Sequence, residues 1–220
     1  MQFITEHDTV LARQLFICGA GGHGRVCAEV ADAAGHQVAG FVDIVQPPQE
    51  LINGKPVFVM TLRELAQADD LDHVRLFVAI GDNEIRMKLL AEAQSLGFEV
   101  PALIHPSAII SPSCTIGKGS IAMAGVTVNA NAQIGRGCIL NTSCSLDHDN
   151  ILMDGVQISP GVIAAGNVRF DEAAFVGTGT ALKPGVTVGA RAIVGAGTVV
   201  IRDVPSGARV AGNPARPLRS

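Results

Sequence analysis

An apolar residue recurs at every sixth position from Ile104 to Val200, and this repeat constrains the fold more than any other feature of the sequence. Seventeen hexads follow one another without an insertion, and only two of them carry alanine at the repeated position. Four positions later in each hexad a small or β-branched residue recurs, with Asn150 as the exception. A period of six fits neither an α-helix, which repeats about every 3.6 residues, nor an isolated strand, which repeats about every 2.

The repeat predicts a coil with three flat faces, in which three hexads of short strand and turn make one rung of about 18 residues. Stacked rungs pair their backbones and bury one continuous apolar column. The chain contains neither Trp nor Tyr. Its core is therefore built mainly from Val, Ile, Leu and Ala, which suit a lattice of equal slots.

The segment before the coil has a different pattern, in which strand and helix signals alternate. An apolar strand at 15–18 is followed by a glycine turn and an amphipathic helix, and a second strand ends at Asp43. Such alternation predicts a Rossmann-like α/β domain with a parallel sheet of about four strands. We expect an N-terminal extension over residues 1–14, this domain over 15–101, and the coil with a C-terminal tail over 102–220.

Three glycines form a G-x-G-x-x-G pattern between the first strand and its helix: Gly19, Gly21 and Gly24. Glycines at this place let a phosphate approach the backbone and the helix N-terminus. Binding of NAD is one interpretation, although about 85 residues leave little room for a full dinucleotide fold. A nucleotide sugar would use the same geometry, and glycines that only permit tight packing are a third interpretation.

The coil contains only two histidines, His105 and His148. A metal-dependent coil enzyme such as a γ-type carbonic anhydrase needs three ligands, so we expect no metal. His105 begins the coil and is interpreted as a packing residue. His148 lies in a turn between Asp147 and Asp149, in the hexad that carries the exceptional Asn150. This polar interruption of a regular lattice indicates a functional imidazole with a carboxylate partner, and a solvated turn is the alternative.

The spacing between His148 and Gly166 supports the functional interpretation. The two residues are 18 positions apart, so we expect them on one edge of the coil, about 4.8 Å apart along its axis. A base beside a backbone N–H donor is the arrangement that acyl transfer requires.

Charge and composition exclude several classes of protein. The net charge of −4 argues against a nucleic-acid-binding protein. Residues 166–220 hold seven Lys or Arg and three acidic residues, a local +4 that would suit a polyanionic cofactor or could be scattered solvated charge. No apolar run reaches the roughly 18 residues that span a bilayer. The five cysteines form no CxxC pair, and we therefore expect a cytoplasmic protein.

Eight motifs occur in the order seen in one family: GAGGHG, GFVD, AIGDN followed by Arg86, IHPSA, LNTSCSLDHDN, ISPG, AAGNV and GNPAR. The chain resembles the bacterial sugar O-/N-acetyltransferases of the hexapeptide-repeat acyltransferases over nearly its whole length from residue 15. That family includes UDP-4-amino-sugar N-acetyltransferases and sialic acid O-acetyltransferases. The resemblance implies a left-handed parallel β-helix, a homotrimer with active sites between protomers, and acetyl-CoA as co-substrate without a metal.

The resemblance also implies roles for individual residues. His148 corresponds to the general base, Asp149 to the acid that orients it, and Gly166 to the glycine whose N–H meets the thioester carbonyl. The implied substrate-binding residues are Gly19, Gly21, Gly24, Asp43, Gly81, Asn83 and Asn141. The implied cofactor-binding residues are Gln157 and Gly166. A path for CoA toward the basic C-terminal rungs adds Lys183, Arg191 and Arg216 as candidates for its phosphates, with solvated charge as the alternative for each, and Thr178 and Gly179 as candidates for the pantetheine. Gln157 departs from the pattern, because some members carry a histidine near the acetyl group at that place.

These observations favour N-acetylation of a nucleotide-linked 4-amino sugar that feeds glycan or surface-polysaccharide synthesis. UDP is the expected carrier, and a GDP-linked sugar such as GDP-perosamine stays open. The second hypothesis is O-acetylation of sialic acid or a related sugar. The third, a non-catalytic nucleotide-sensing protein, is opposed by the intact His148–Asp149 pair.

Overall fold

The computed structural model describes residues 14–45, 51–68 and 74–218, so the predicted extension 1–14 lies, apart from Gln14, outside the described residues. The α/β part of the chain, called the front unit below, consists of β1 Gln14–Cys18, α1 Gly22–Ala33, β2 Val38–Asp43, β3 Leu51–Ile52, β4 Lys55–Val59, α2 Leu62–Ala68, β5 Val74–Val78 and α3 Asn83–Ser95. In the described part of the chain, no helix has the length and apolar character needed to cross a bilayer.

The front sheet has the strand order β3-β4-β2-β1-β5. Strands β4, β2, β1 and β5 pair in parallel, as the strand–helix alternation predicts, and the short β3 adds an antiparallel edge. The central strand β1 is buried from Leu15 to Cys18, which is why it reads as an unbroken apolar run. The carboxyl ends of β1, β2 and β5 therefore meet at one edge of this sheet.

The rest of the chain, called the coil below, begins with seventeen strands of two residues each. They are β6 Leu103–Ile104, β7 Ile109–Ile110, β8 Thr115–Ile116, β9 Ile121–Ala122, β10 Thr127–Val128, β11 Gln133–Ile134, β12 Ile139–Leu140, β13 Ser145–Leu146, β14 Ile151–Leu152, β15 Gln157–Ile158, β16 Ile163–Ala164, β17 Arg169–Phe170, β18 Phe175–Val176, β19 Ala181–Leu182, β20 Thr187–Val188, β21 Ile193–Val194 and β22 Val199–Val200. β23 Arg209–Ala211 and β24 Arg216–Pro217 complete the coil.

Each strand from β6 to β22 pairs in parallel with the strand one rung away, as Thr127 with Ser145 and Val128 with Leu146, and β24 pairs antiparallel with β23 at the end of the coil. The result is a left-handed parallel β-helix with an eight-, a six- and a five-stranded face. The second residue of most strands points inward, and Leu146 and Val188 are fully buried. The repeated apolar position is thus the core column that the six-residue period predicts.

Arg86 of α3 joins the front unit to the coil. The side chain is 1% exposed, and its guanidinium donates to five oxygens. Two of them are the carbonyls of Gly137 (2.8 Å) and Gly155 (2.9 Å), which lie on consecutive rungs. Asn83 donates to the carbonyl of Ala173 on the next rung at 3.0 Å. Helix α3 is therefore hydrogen-bonded to three successive rungs, which fixes the front unit relative to the coil.

Candidate active site

His148 lies in the turn between β13 and β14. The turns that lead from the six-stranded to the five-stranded face stack on one another, and we call this stack the His148 edge; it comprises residues 111–114, 129–132, 147–150, 165–168 and 183–186. The imidazole Nδ1 lies 2.8 Å from Oδ2 of Asp149. Both side chains are about half exposed, at 52% and 46%.

The hydrogen bond with Asp149 raises the pKa of His148 above its ordinary value of 6.5, and the charges of Asp147 and Asp149 act in the same direction against partial desolvation. The same bond, together with one from Asn131, lowers the pKa of Asp149. A carboxylate on Nδ1 selects the tautomer protonated at that nitrogen. Nε2, which has no hydrogen-bond partner among the described residues, is then the nitrogen that can accept a proton.

The local backbone holds this turn in place. Asp147 Oδ1 accepts the N–H of His148 at 2.9 Å and an N–H of Asn129 at 3.0 Å. The bond from Asn129 is the main cause that lowers the pKa of Asp147. An ionised Asp147 is thus part of the turn that presents the imidazole.

Asn150, the exception in the hexad pattern, has a structural role. It is fully buried, and its amide donates to the carbonyls of Asp147 (2.6 Å) and Ala165 (3.0 Å). Its Oδ1 accepts the N–H of Val168 at 3.0 Å. Asn150 therefore links the His148 turn to the turn that contains Gly166. The polar exception in the hexad pattern lies next to the candidate site, but its buried side chain is not part of the site.

Gly166 lies against the imidazole of His148, as their 18-residue spacing predicts. A Cβ at this position would come within 2.5 Å of Cε1 and Nε2 of the ring, so only glycine leaves room for the histidine. Asn167 N–H bonds to the carbonyl of His148 at 3.0 Å. The amide of Gly166 has no hydrogen-bond acceptor among the described residues, which is the usual situation at this hexad position; the amides of Arg136 and His148 are exceptions that bond to aspartate side chains.

The structure does not bring all predicted coil residues together. Lys183 is exposed on the His148 edge, one rung beyond Gly166. Asn141, Thr178 and Gly179 lie on a different edge, where the eight-stranded face turns into the six-stranded one. Within one chain these three residues therefore do not share a site with His148.

Gln157 begins β15 on the eight-stranded face. Its Oε1 is buried and has no hydrogen-bond partner within the described residues. Arg216 is exposed in β24 at the end of the coil. Arg191, considered above for the cofactor phosphates, instead forms an ion pair with Glu84 of α3 at 3.3 Å. It thus connects the coil to the front unit.

In the front unit, Gly19 and Asp43 line a cleft of about 430 Å³ at the carboxyl ends of β1 and β2. Asp43 Oδ2 accepts the N–H of Ala20 at 2.8 Å, and Oδ1 accepts the N–H of Val45 at 3.1 Å. This carboxylate, implied above as substrate-binding, is thus engaged in holding the glycine loop against the end of β2.

The three glycines of the loop differ in what they allow. A Cβ on Gly24 would lie 2.0 Å from the Gly19 carbonyl oxygen, and Gly19 has φ +110° with Ala79 and Ile80 close by. These two glycines permit tight packing of α1 against the sheet. Gly21, at the N-cap of α1, has no atom within 4 Å of a built Cβ, so it leaves open space at the helix N-terminus.

Gly81 and Asn83, implied above as substrate-binding residues, line a cleft of about 390 Å³ next to the one at Gly19 and Asp43. This cleft also includes Phe175 and Ile193 of the coil. The bond from Asn83 to the carbonyl of Ala173 directs the Asn83 side chain toward the coil.

Arg86, three residues after the AIGDN motif, was assigned no role from the sequence. Burial lowers the pKa of Arg86 to about 10. The signal that could have found it is its spacing, because Arg86, Leu90 and Ala93 form the buried stripe of α3 at i, i+4 and i+7. His23 was also missed; burial lowers its pKa to about 4, which leaves the imidazole beside the glycine loop neutral near pH 7.

Comparison with known proteins places this geometry in context. Residues 14–93 match the family model of the PglD N-terminal domain. The GDP-perosamine N-acetyltransferase of Escherichia coli O157:H7 is 31% identical over 212 residues, which cover 92% of this chain and 95% of that protein.

Two solved structures are similar over most of both chains. The acetyltransferase domain of PglB from Neisseria gonorrhoeae, in complex with acetyl coenzyme A, is 42% identical with a TM-score of 0.87 and covers 94% of this chain and 99% of that one. PerB from Caulobacter crescentus, in complex with CoA and GDP-perosamine, is 41% identical with a TM-score of 0.86, covering 94% and 97%.

Proposed function

The chain belongs to the family of bacterial sugar acetyltransferases, and from this premise we propose that it transfers the acetyl group of acetyl-CoA to the amino group of a nucleotide-linked 4-amino sugar. One observation carries the proposal: the His148–Asp149 pair lies directly against Gly166, whose amide has no acceptor of its own among the described residues.

In the proposed reaction His148 acts as the base. The amine nitrogen of the sugar bonds to the acetyl carbon, the carbon–sulfur bond breaks, and CoA leaves as its thiol. Nε2 of His148 takes the proton that the amine loses and passes it to the departing sulfur. Asp149 keeps the proton on Nδ1 and stabilises the imidazolium that forms.

Gly166 has two proposed roles. Its lack of a side chain lets the imidazole lie on the neighbouring rung, and its outward N–H can donate to the oxygen that gains negative charge during transfer. Such a donor is effective because it is already oriented by the rigid turn, so no reorganisation is needed when charge develops.

For acetyl-CoA we propose a path along the His148 edge toward the end of the coil. Along this path lie the exposed Lys183 and then Arg202, which lines a cleft of about 240 Å³ together with Arg216. Three cations in this order suit the phosphates of CoA. Gln157, Thr178 and Gly179 are proposed to contact the pantetheine and acetyl end.

We also propose a homotrimer, because one chain leaves its predicted residues on separate edges. Asn141, Thr178 and Gly179 lie away from His148 within a chain. In a threefold assembly of prisms the His148 edge of one protomer would face the Asn141 edge of the next, which would unite the two groups. The compartment we propose is the cytoplasm, since all five cysteines are free.

The nucleotide is proposed to occupy the cleft at Gly19 and Asp43, with Gly21 leaving room for a phosphate at the N-terminus of α1. The division of labour is then nucleotide binding by residues 15–101 and acyl transfer by 102–220. UDP stays the carrier expected from the sequence. O-acetylation of a sialic acid is the alternative reaction, because the same base could serve a hydroxyl.

The test is thiol release from acetyl-CoA with a panel of acceptors: UDP- and GDP-linked 4-amino sugars, the matching 4-hydroxy sugars, and free sialic acid. We expect turnover with an amino sugar and none with its hydroxy counterpart. Turnover with sialic acid alone would replace the proposal by the O-acetyl alternative. No turnover with any amino sugar would contradict it.

A further inference from the structure

Asp149 is held by two hydrogen bonds from different rungs. Its Oδ2 meets His148, and its Oδ1 accepts an N–H of Asn131 at 3.2 Å. Asn131 lies on the His148 edge, one rung before the dyad. A half-exposed carboxylate with a single partner can rotate about its side-chain bonds, whereas two partners on opposite oxygens fix the plane of the group.

The backbone of Asn131 is itself held by a residue of the preceding rung. Its backbone N–H donates to Oγ of Ser113 at 3.0 Å. The bonded residues Ser113, Asn131 and Asp149 are each 18 positions apart, so a line of hydrogen bonds runs along the edge and ends at the imidazole.

The backbone conformation gives an independent reason to think that the side chain of Asn131 matters. This hexad position has a positive φ throughout most of the coil, and glycine occupies it at many turns, as at Gly137 and Gly161. Three successive turns of the His148 edge carry Asn131 (φ +61°), Asp149 (φ +59°) and Asn167 (φ +60°) instead. Glycine is the residue that fits this conformation without strain, so a polar side chain is present there at a conformational cost.

We infer that Asn131 is a positioning residue for the acetyl transfer: its amide orients the Asp149 carboxylate, and Asp149 in turn holds the His148 imidazole against Gly166. The inference rests on the proposed function. It assigns Asn131 no contact with substrate, and its effect passes entirely through Asp149.

The test compares Asn131→Gly and Asn131→Asp with the wild type. Asn131→Gly removes the amide and suits the positive φ, so we expect an unchanged or slightly higher Tm with a fall in kcat of about tenfold and little change in KM. Asn131→Asp keeps the shape but places a carboxylate against Asp149, and we expect it to be at least as impaired. Asn53→Gly, the same substitution at φ +51° in the turn between β3 and β4, is the matched control and should keep its kcat.

An NMR titration of His148 supplies a readout that does not depend on turnover. Among the described residues, Asp147 and Asp149 are the charged groups that shift the pKa of this ring. With Asp149 no longer oriented, we expect the pKa of His148 in Asn131→Gly to fall toward 6.5. Wild-type kcat and His148 titration in Asn131→Gly, or full activity in Asn131→Asp, would overturn the inference. A wild-type enzyme inactive on the whole acceptor panel would instead overturn the proposed function, and the titration would still test the positioning role.

Discussion

The front unit and the coil each hold an ionisable side chain that is important to this account, and the two side chains are in opposite situations. Arg86 is 1% exposed and donates to five oxygens, two on the coil and three in the front unit, so its hydrogen-bonding capacity is satisfied within the protein. His148 is half exposed and is held at Nδ1 alone, with Nε2 free among the described residues. A group with all its partners in the protein stabilises the fold, while a group held on one side can react on the other.

Glycines show the same contrast inside the coil. Gly207 has φ +70°, and no atom lies within 4 Å of the place where a Cβ would be. Its backbone conformation is therefore the reason that glycine occurs there. Gly166 does not have a positive φ. Glycine occurs there because the His148 ring fills the space that a Cβ would need. Glycine is thus needed at position 207 for the backbone turn and at position 166 for the placement of the imidazole.

Among the substitutions that test this contrast between glycines, Gly166→Ala is expected to have the largest effect on activity. The added methyl would displace the imidazole, so we expect kcat/KM to fall on the order of 10²–10³-fold with little change in Tm. Gly207→Ala should do the reverse, lowering stability by about 1 kcal/mol at full activity. Steady-state kinetics and thermal unfolding of both variants check this. Equal effects of the two substitutions on activity would remove the distinction.

The next effect is expected from Arg86→Met, which removes a buried cation and leaves the carbonyls of Gly137 and Gly155 without their donor. We expect a loss of about 3 kcal/mol in the free energy of unfolding, measured by urea denaturation. The control is Arg63→Met, since Arg63 is exposed and its pair with Glu92 is 3.6 Å long, which should cost less than about 0.5 kcal/mol. Similar losses for both arginines would contradict the structural role of Arg86.

A smaller effect is expected in the pH profile. The raised pKa of His148 means that the imidazole stays protonated above pH 6.5, and a protonated base cannot accept a proton. The kcat/KM profile should therefore rise with pH through a pKa above 6.5. The contribution of the ionised dyad to stability is lost in both directions: as pH rises above 6.5 through the raised pKa of His148, and as pH falls below 3.8 through the lowered pKa of Asp149.

Asp149→Asn removes the main cause of that shift. We expect the rise of the profile to move toward pH 6.5 and kcat/KM to fall about tenfold at its maximum. An unchanged pH profile in this variant would mean that Asp149 does not raise the pKa of His148, and it would contradict the proposed dyad.

The two regions also differ in how far the sequence predicts them. In the coil a residue's place follows from its position in an 18-residue rung, so the stacking of Gly166 on His148 was predictable. The structural role of Asn150 was not predictable, because its place in the hexad does not tell whether its amide points into the coil. In the front unit the strand–helix alternation predicts the parallel sheet. The bonds from Asn83 to Ala173 and from Arg86 to Gly155, 90 and 69 positions apart in sequence, follow from no periodicity.

The proposed mechanism depends most on His148, and the activity of His148→Ala tests it most directly. We predict a fall in kcat/KM on the order of 10²–10⁴-fold for the preferred amino-sugar acceptor, with an unchanged Tm because the side chain is half exposed. His105→Ala, at the other coil histidine, should retain its activity. A His148→Ala enzyme that keeps most of the wild-type kcat/KM would contradict the assignment of the base.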